Sequence, residues 1–147
     1  MNSSLVYLVQ TDTTVGFLSL DDEKLTKLKQ REKSKKMLAN LNSFKSLNSF
    51  TRVPKKFRKL VRNSKKTTFI YPNLKSFRVI DKTSRFYDFI DKFDILYSTS
   101  ANKTACSFKY DFAFKNADVI VEDSFGFFET IASKIYSLKR QKFKKVR

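Results

Sequence analysis

Short apolar runs alternate with polar and basic stretches along this chain. Leu5 to Gln10 (LVYLVQ) reads as a buried strand, and the following TDTTVG has no apolar period, which makes it a loop. A helix is predicted next. Ser19 or Asp21 can cap it, Asp22 and Glu23 suit its positive amino end, and Leu25 and Leu28 give it an apolar edge leading toward Lys29 and Arg31. Met37 to Leu41 is a strand candidate, and the basic stretch to about Arg62 reads as one or two helices interrupted near Pro54. TTFIY, ended by Pro72, has the β-branched and aromatic content of a strand, with Phe77 to Ile80 as its neighbour. Phe86, Phe89, Ile90 and Phe93 fall at i, i+3, i+4 and i+7, the apolar face of a helix. Ile95 to Tyr97, Asp118 to Val121 and Thr130 to Tyr136 complete the predicted strands. Strands alternating with helices predict an α/β or α+β layered domain.

Composition narrows the chemistry. The 147 residues are 41% hydrophobic, with sixteen Phe, enough for one core. Only two glycines are present, and neither a P-loop nor a GxGxxG fingerprint occurs. The absence of histidine removes the usual zinc sites, Ser-His and Cys-His catalysis, and an imidazole base. Cys106 has no cysteine partner and no histidine to activate it, so the expectation is an inert, buried or half-buried thiol. What remains is chemistry by positioning, with Lys, Arg, Ser, Thr and Asn acting on phosphate-bearing substrates. No apolar run reaches the ~18 residues of a membrane span, and the amino end lacks the pattern of a signal peptide, so the expected setting is cytoplasmic, without a membrane.

Charge adds a partner class. Thirty-one basic against fourteen acidic residues give +17, which favours polyanions such as RNA and nucleotides, although a solvated lysine-rich surface fits the total equally well. The basic residues crowd Lys24 to Lys36, Arg52 to Lys66 and Lys139 to Arg147. The last stretch has only Phe143 and Val146 as apolar residues and is expected to be a mobile tail.

Three polar clusters follow a strand or close a helix: Thr11, Thr13 and Gly16; Lys29, Arg31 and Lys35; and Ser98, Thr99, Ser100 and Asn102. Lys29 and Arg31 can share a ligand only if their helix ends near them. TDTTVG resembles the threonine-rich motif of the threonylcarbamoyl-AMP synthases, KQREKSKK is similar to their K-x-R signature, and STSANKTA resembles their S-x-N loop. TTFIYP, SFRV and ASKIYSL resemble further strands of that family in matching order, over roughly residues 5 to 138. The pattern departs from the family at Gln10, where proline is usual, and after STSAN, where Lys103, Thr104 and Ala105 replace a Ser-Gly pair.

The resemblance implies an α/β fold: a YrdC-like twisted open mixed sheet flanked by helices, a single domain at 1–138 that lacks the usual amino-terminal elements, with a basic tail at 139–147. It implies synthesis of threonylcarbamoyl-adenylate from L-threonine, bicarbonate and ATP, with Mg²⁺ on the nucleotide, for modification of tRNA. By the same resemblance Lys29 and Arg31 act in catalysis, Lys35, Arg78, Ser100 and Asn102 hold the nucleotide, and Thr11 and Thr13 shape the amino-acid end. RNA, tRNA above all, and other threonylcarbamoylation proteins are the implied partners. The alternative is a noncatalytic RNA-binding module that keeps this fold and a basic cleft. The residues alone leave blander readings open: Thr11 and Thr13 as a loop satisfying its own backbone, Lys29 and Arg31 as a solvated helix end, Arg78 on the wet face of a strand, and Phe125, Phe127 and Phe128 as core.

Overall fold

The computed structural model describes residues 1–30, 32 and 37–147. Their nine strands form one mixed sheet. In chain order the elements are β1 (Tyr7–Gln10), β2 (Val15–Ser19), α1 (Asp22–Lys29), β3 (Leu38–Leu41), α2 (Phe44–Phe50), α3 (Arg58–Asn63), β4 (Thr67–Ile70), β5 (Ser76–Val79), α4 (Tyr87–Ile90), β6 (Ile95–Ser100), α5 (Tyr110–Asn116), β7 (Val119–Val121), β8 (Lys134–Leu138) and β9 (Phe143–Lys145). Across the sheet the strands lie in the order β7-β1-β2-β6-β3-β5-β4-β8-β9, with β1–β7, β3–β5 and β4–β8 parallel and the remaining pairs antiparallel. Among the described residues no helix is long and apolar enough to cross a membrane.

Strand alternation gives the sheet two unlike faces. On one, Ala39, Leu41, Phe69 and Phe77 pack with Leu47 of α2, Val61 of α3, and Phe57, which lies in a short 3-10 turn before α3. The same face continues through Leu8 and Phe17 to Leu25 of α1 and Ala113 of α5. On the other, Tyr7, Val9, Leu18 and Leu96 pack against Phe86, Phe89 and Ile90 around α4. That helix covers only one end. Next to it the same face carries Ser98 and Ser100 of β6, Asn40 of β3, Ser76 and Arg78 of β5, and Thr68 of β4, a polar floor with no helix over it among the described residues.

Several sequence expectations change in detail. The helix predicted through Phe93 is only Tyr87–Ile90, after which Phe93 still packs on the same core from a turn. Val15–Ser19 forms a strand that the pattern hides, because VGFLS is buried along its whole length and shows no polar alternation. The strand expected at Ile95 to Tyr97 continues to Ser100, so the STS triplet is strand and not loop. The last predicted strand lies at Lys134–Leu138, and α5 is an element the sequence reading lacks. Cys106 is exposed, not buried or half-buried, and of the three phenylalanines read as core only Phe127 is buried, while Phe125 and Phe128 are exposed.

The mobile tail expected after residue 138 is a further correction. Phe143–Lys145 pairs antiparallel with β8, and the Phe143 ring packs 5.9 Å from Phe57 and 5.5 Å from Tyr136. The amides of Ile135 and Val146 then exchange bonds with the carbonyls of Arg147 and Ile135 at 2.9 and 2.7 Å. A ladder and one aromatic anchor supply what the composition of the segment withholds.

Candidate functional site

The threonine-rich loop is held by its own first hydroxyl. Thr11 Oγ1 donates to the Thr14 carbonyl at 2.6 Å and accepts the amides of Thr13 and Thr14, both at 3.2 Å. This is the self-satisfied loop of the bland reading, and it has a consequence: it turns Asp12 and Thr13 toward Arg78. Gly16 closes the loop where a Cβ would stand 3.1 Å from the Thr99 carbonyl and 3.3 Å from Thr11 Cγ2, so a larger residue would push the loop off β6.

Arg78 is the centre of that contact. Its Nη1 donates to Thr13 Oγ1 at 3.0 Å, its Nε to Asn40 Oδ1 at 3.1 Å, and its Nη2 stands 3.2 Å from Asp12 Oδ1. Both charged side chains are only 4% exposed. Alternation does set Arg78 on the side of the sheet away from Phe77, but the threonine-rich loop buries it there, so it is not on a wet face. Burial pulls its pKa below the usual arginine range, with the Asp12 charge opposing that shift and the Arg147 charge adding to it.

Arg147 reaches the same cleft from the tail. Its Nε donates to the Ser133 carbonyl at 3.1 Å and its Nη2 to Ser133 Oγ at 3.4 Å, while Ser133 Oγ meets Thr68 Oγ1 at 3.1 Å. Thr11, Thr13, Arg78, Ser100, Ser133 and Arg147 thus line one cleft of about 500 Å³ on the helix-free part of the sheet. Sequence reasoning missed Arg147, Ser133 and Asp12. Ser133 lies within the quoted ASKIYSL, and Arg147 was counted only as tail charge.

Lys29 and Asn102 meet beside Ser100. Helix α1 ends at Lys29, with Gln30 in the left-handed region at φ 49°, so the lysine leaves the helix axis where a shared ligand requires it to. Lys29 Nζ donates to both the carbonyl and the Oδ1 of Asn102, Ser100 Oγ donates to the same Oδ1 at 2.6 Å, and Thr104 Oγ1 donates back to the Lys29 carbonyl at 3.0 Å. Asn102 Nδ2 donates to the Cys106 carbonyl. Lys29, Ser100 and Asn102 are therefore one bonded cluster that joins the cleft through Ser100. Arg31 and Lys35 lie outside the described residues. Among the described residues no group of three or more Asp, Glu, Cys or His side chains could hold a metal ion.

Chemically, the cleft is a concave surface with two guanidinium groups, one fixed by a carboxylate, and a wall of hydroxyls. It can bind a multiply charged anion next to a small hydrogen-bonding group. No family model matches the chain, and no curated protein matches it by sequence. Solved structures do match its fold. A variant of Sua5 from P. abyssi superposes with a TM-score of 0.78 at 14% identity, over 98% of this chain and 52% of that one. YciO from E. coli does so at 0.74 and 16% identity, over 98% and 82%. The chain has the YrdC-type fold. A P. abyssi Sua5 complexed with L-threonine matches at 0.77 and 15% identity, over 98% and 50%, so the YrdC-type domain described here spans about half the length of the Sua5 structures.

Proposed function

We propose that this YrdC-type domain makes threonylcarbamoyl-adenylate and pyrophosphate from L-threonine, bicarbonate and Mg²⁺-ATP, as a step toward threonylcarbamoyladenosine in tRNA. The observation that carries the reading is the convergence, on the part of one face that α4 leaves uncovered, of the Thr11–Thr13 loop, Arg78, Ser100 and Arg147, with Asn102 bonded to both Ser100 and Lys29. Residues up to 136 positions apart in the chain build it (11 to 147). The threonine complex of a structure with the same fold supports the amino-acid half of the proposal.

In this reading threonine condenses with bicarbonate to a carbamate, whose oxygen attacks the α-phosphorus as the bond to pyrophosphate breaks. The step needs alignment and neutralised charge more than a proton-transfer base, which suits a chain without histidine. Arg147 and Lys29 supply cations on two sides, Ser100 and Asn102 orient the nucleotide, and Arg78, which the resemblance assigns to the nucleotide, stands instead with Thr13 at the amino-acid end in this reading. Arg31 keeps the catalytic role and Lys35 the nucleotide-holding role that the family resemblance implies. Mg²⁺ would arrive on the nucleotide, held by its phosphate oxygens.

The deciding measurement is pyrophosphate release by the purified chain, with threonine and bicarbonate each omitted in turn. Release that requires both is the expected result. No threonine-dependent release, with tRNA binding intact, would leave the noncatalytic RNA-binding module as the function of the fold.

A further inference from the structure

Most of the excess of positive charge is held by two stretches of the chain that contribute no residue to the cleft lining. Residues 45–62 hold seven Lys or Arg and no Asp or Glu, and residues 139–145 hold five and none. Together these 25 positions supply 7 + 5 = 12 of the net +17, leaving only +5 for the rest of the chain. The two segments are neighbours in space, because Phe143 packs on Phe57 and Lys56 Nζ donates to the Gln141 carbonyl at 3.3 Å. All twelve cations are exposed. The ion pairs among the described residues are Lys65–Asp81, Arg78–Asp12 and Arg85–Asp123, so none of the twelve has an acidic partner there.

The segment also has shape. Asn48, Thr51, Arg52, Arg58 and Arg62 line a hollow of about 460 Å³ between α2 and α3, on the face that carries Leu47 and Val61 and opposite Ser76 and Arg78. Three guanidinium groups with amide and hydroxyl donors are suited to phosphate oxygens, which arginine grips in pairs. The apolar residues of the segment leave little to insert in a bilayer: Leu47, Val53, Phe57 and Val61 are at most 8% exposed, and Phe50 and Leu60 only 39% each. A strip of cations with no acid among them matches a run of phosphodiesters better than a peptide of mixed charge.

We infer that the α2–α3 face, with the side of the β8–β9 edge that carries Phe143 and Lys145, forms an RNA-backbone surface on the side of the sheet away from the cleft. The inference stands whether or not the cleft is a synthase, since it uses none of the cleft residues. Phosphate contacts supply affinity and position without sequence choice, so this surface holds RNA of any sequence.

The test is a fluorescence-anisotropy titration of a labelled tRNA transcript with the full chain between 50 and 200 mM salt. The triple variant Arg52→Ala, Arg58→Ala, Arg62→Ala should bind at least about tenfold more weakly. Its salt slope should flatten by about 2, given roughly 0.7 to 0.9 per phosphate contact. The triple variant Lys27→Ala, Lys82→Ala, Lys92→Ala removes the same charge from elsewhere and should lose far less. Equal losses in the two variants would reduce the surface to diffuse attraction and overturn the inference, as would a loss produced only by Arg147→Ala in the cleft. Vesicles containing phosphatidylserine provide the competing arm: retention by them, abolished by the same three arginine changes while tRNA binding persists, would assign the face to membranes. Lys139→Ala, Lys142→Ala, Lys145→Ala repeats the test on the second segment, so misfolding of one variant does not spare the inference. Threonine-dependent pyrophosphate release should be the same in the arginine variant as in the parent chain, which separates failure here from failure of the proposed synthesis.

Discussion

The two faces of this sheet use the same residue types in opposite ways. In the cleft, Arg78 is buried, donates to Asn40 and Thr13 and pairs with Asp12, while beside the cleft Lys29 is bonded twice to Asn102. On the α2–α3 face the cations are exposed and without acidic partners among the described residues. A buried, multiply bonded cation has one position and holds its surroundings to it. An exposed one has many positions and contributes through density. The first arrangement suits a small ligand whose atoms must be aligned, and the second suits a long polyanion whose phosphates are interchangeable.

The sharpest way to break this contrast is to remove one cation from each face and measure stability. Arg78→Met should cost about 3 to 5 kcal/mol, because it leaves the Asp12 carboxylate buried and unpaired, whereas Arg62→Ala should stay within about 0.5 kcal/mol. Urea denaturation reads both. Adding Asp12→Leu to Arg78→Met should restore much of the loss, since removing both charges ends the desolvation penalty. Similar midpoints for the two single variants would mean that Arg78 is as replaceable as a surface arginine.

A smaller effect is expected at the junction of the cleft with α1. Asn102→Ala takes one charge-assisted acceptor from Lys29 and leaves the backbone carbonyl as the other. The loss should be about 1.5 to 3 kcal/mol by the same denaturation, with weaker ATP binding in a calorimetric titration. Undiminished stability and affinity would show that the cluster is incidental to the cleft. Smaller again is Phe143→Ala, at about 1 kcal/mol for a half-exposed ring with two aromatic neighbours. Its clearer signature is local: hydrogen exchange at the Val146 amide should accelerate strongly while Phe69 in β4 keeps its protection. Unchanged exchange at Val146 would mean that the tail strand does not depend on this anchor.

Much of the fold was legible because its strands carry local signals, and the residues that were hard to place are those whose partners are distant. LVYLVQ, TTFIY and SFRV read as strands from their own composition, and Asp21 caps α1 as its position predicts. VGFLS was obscured by burial along its whole length, and the tail by a partner strand that no local pattern reveals. In and beside the cleft, Thr11, Thr13, Ser100 and Asn102 stood out through short motifs at strand ends. Asp12 and Arg147 did not, since an acid inside a polar loop and an arginine in a basic tail look solvated until Arg78 and Ser133 are brought against them.

The gentlest probe of the contrast lies where the basic stretch ends. Lys65 is an exposed cation like its neighbours, yet its Nζ stands 2.7 Å from Asp81 Oδ2. Asp81 also accepts the amide and hydroxyl of Thr83, both at 2.9 Å. The Lys65 hydrogen bond first, then the two from Thr83, bring its pKa down from 3.8 to about 2. A folded-state value below the unfolded one means that this carboxylate favours the fold fully above about pH 4. The contribution fades as pH falls through about 2. Lys65→Ala should raise the Asp81 midpoint, followed by NMR of its carboxyl carbon, only part of the way to 3.8, because the Thr83 bonds remain. Added salt should move the parent protein in the same direction by less. A full return to 3.8 on removing Lys65 would mean that Thr83 contributes nothing, and an unmoved midpoint would make Lys65 one more unpaired cation of the helical face.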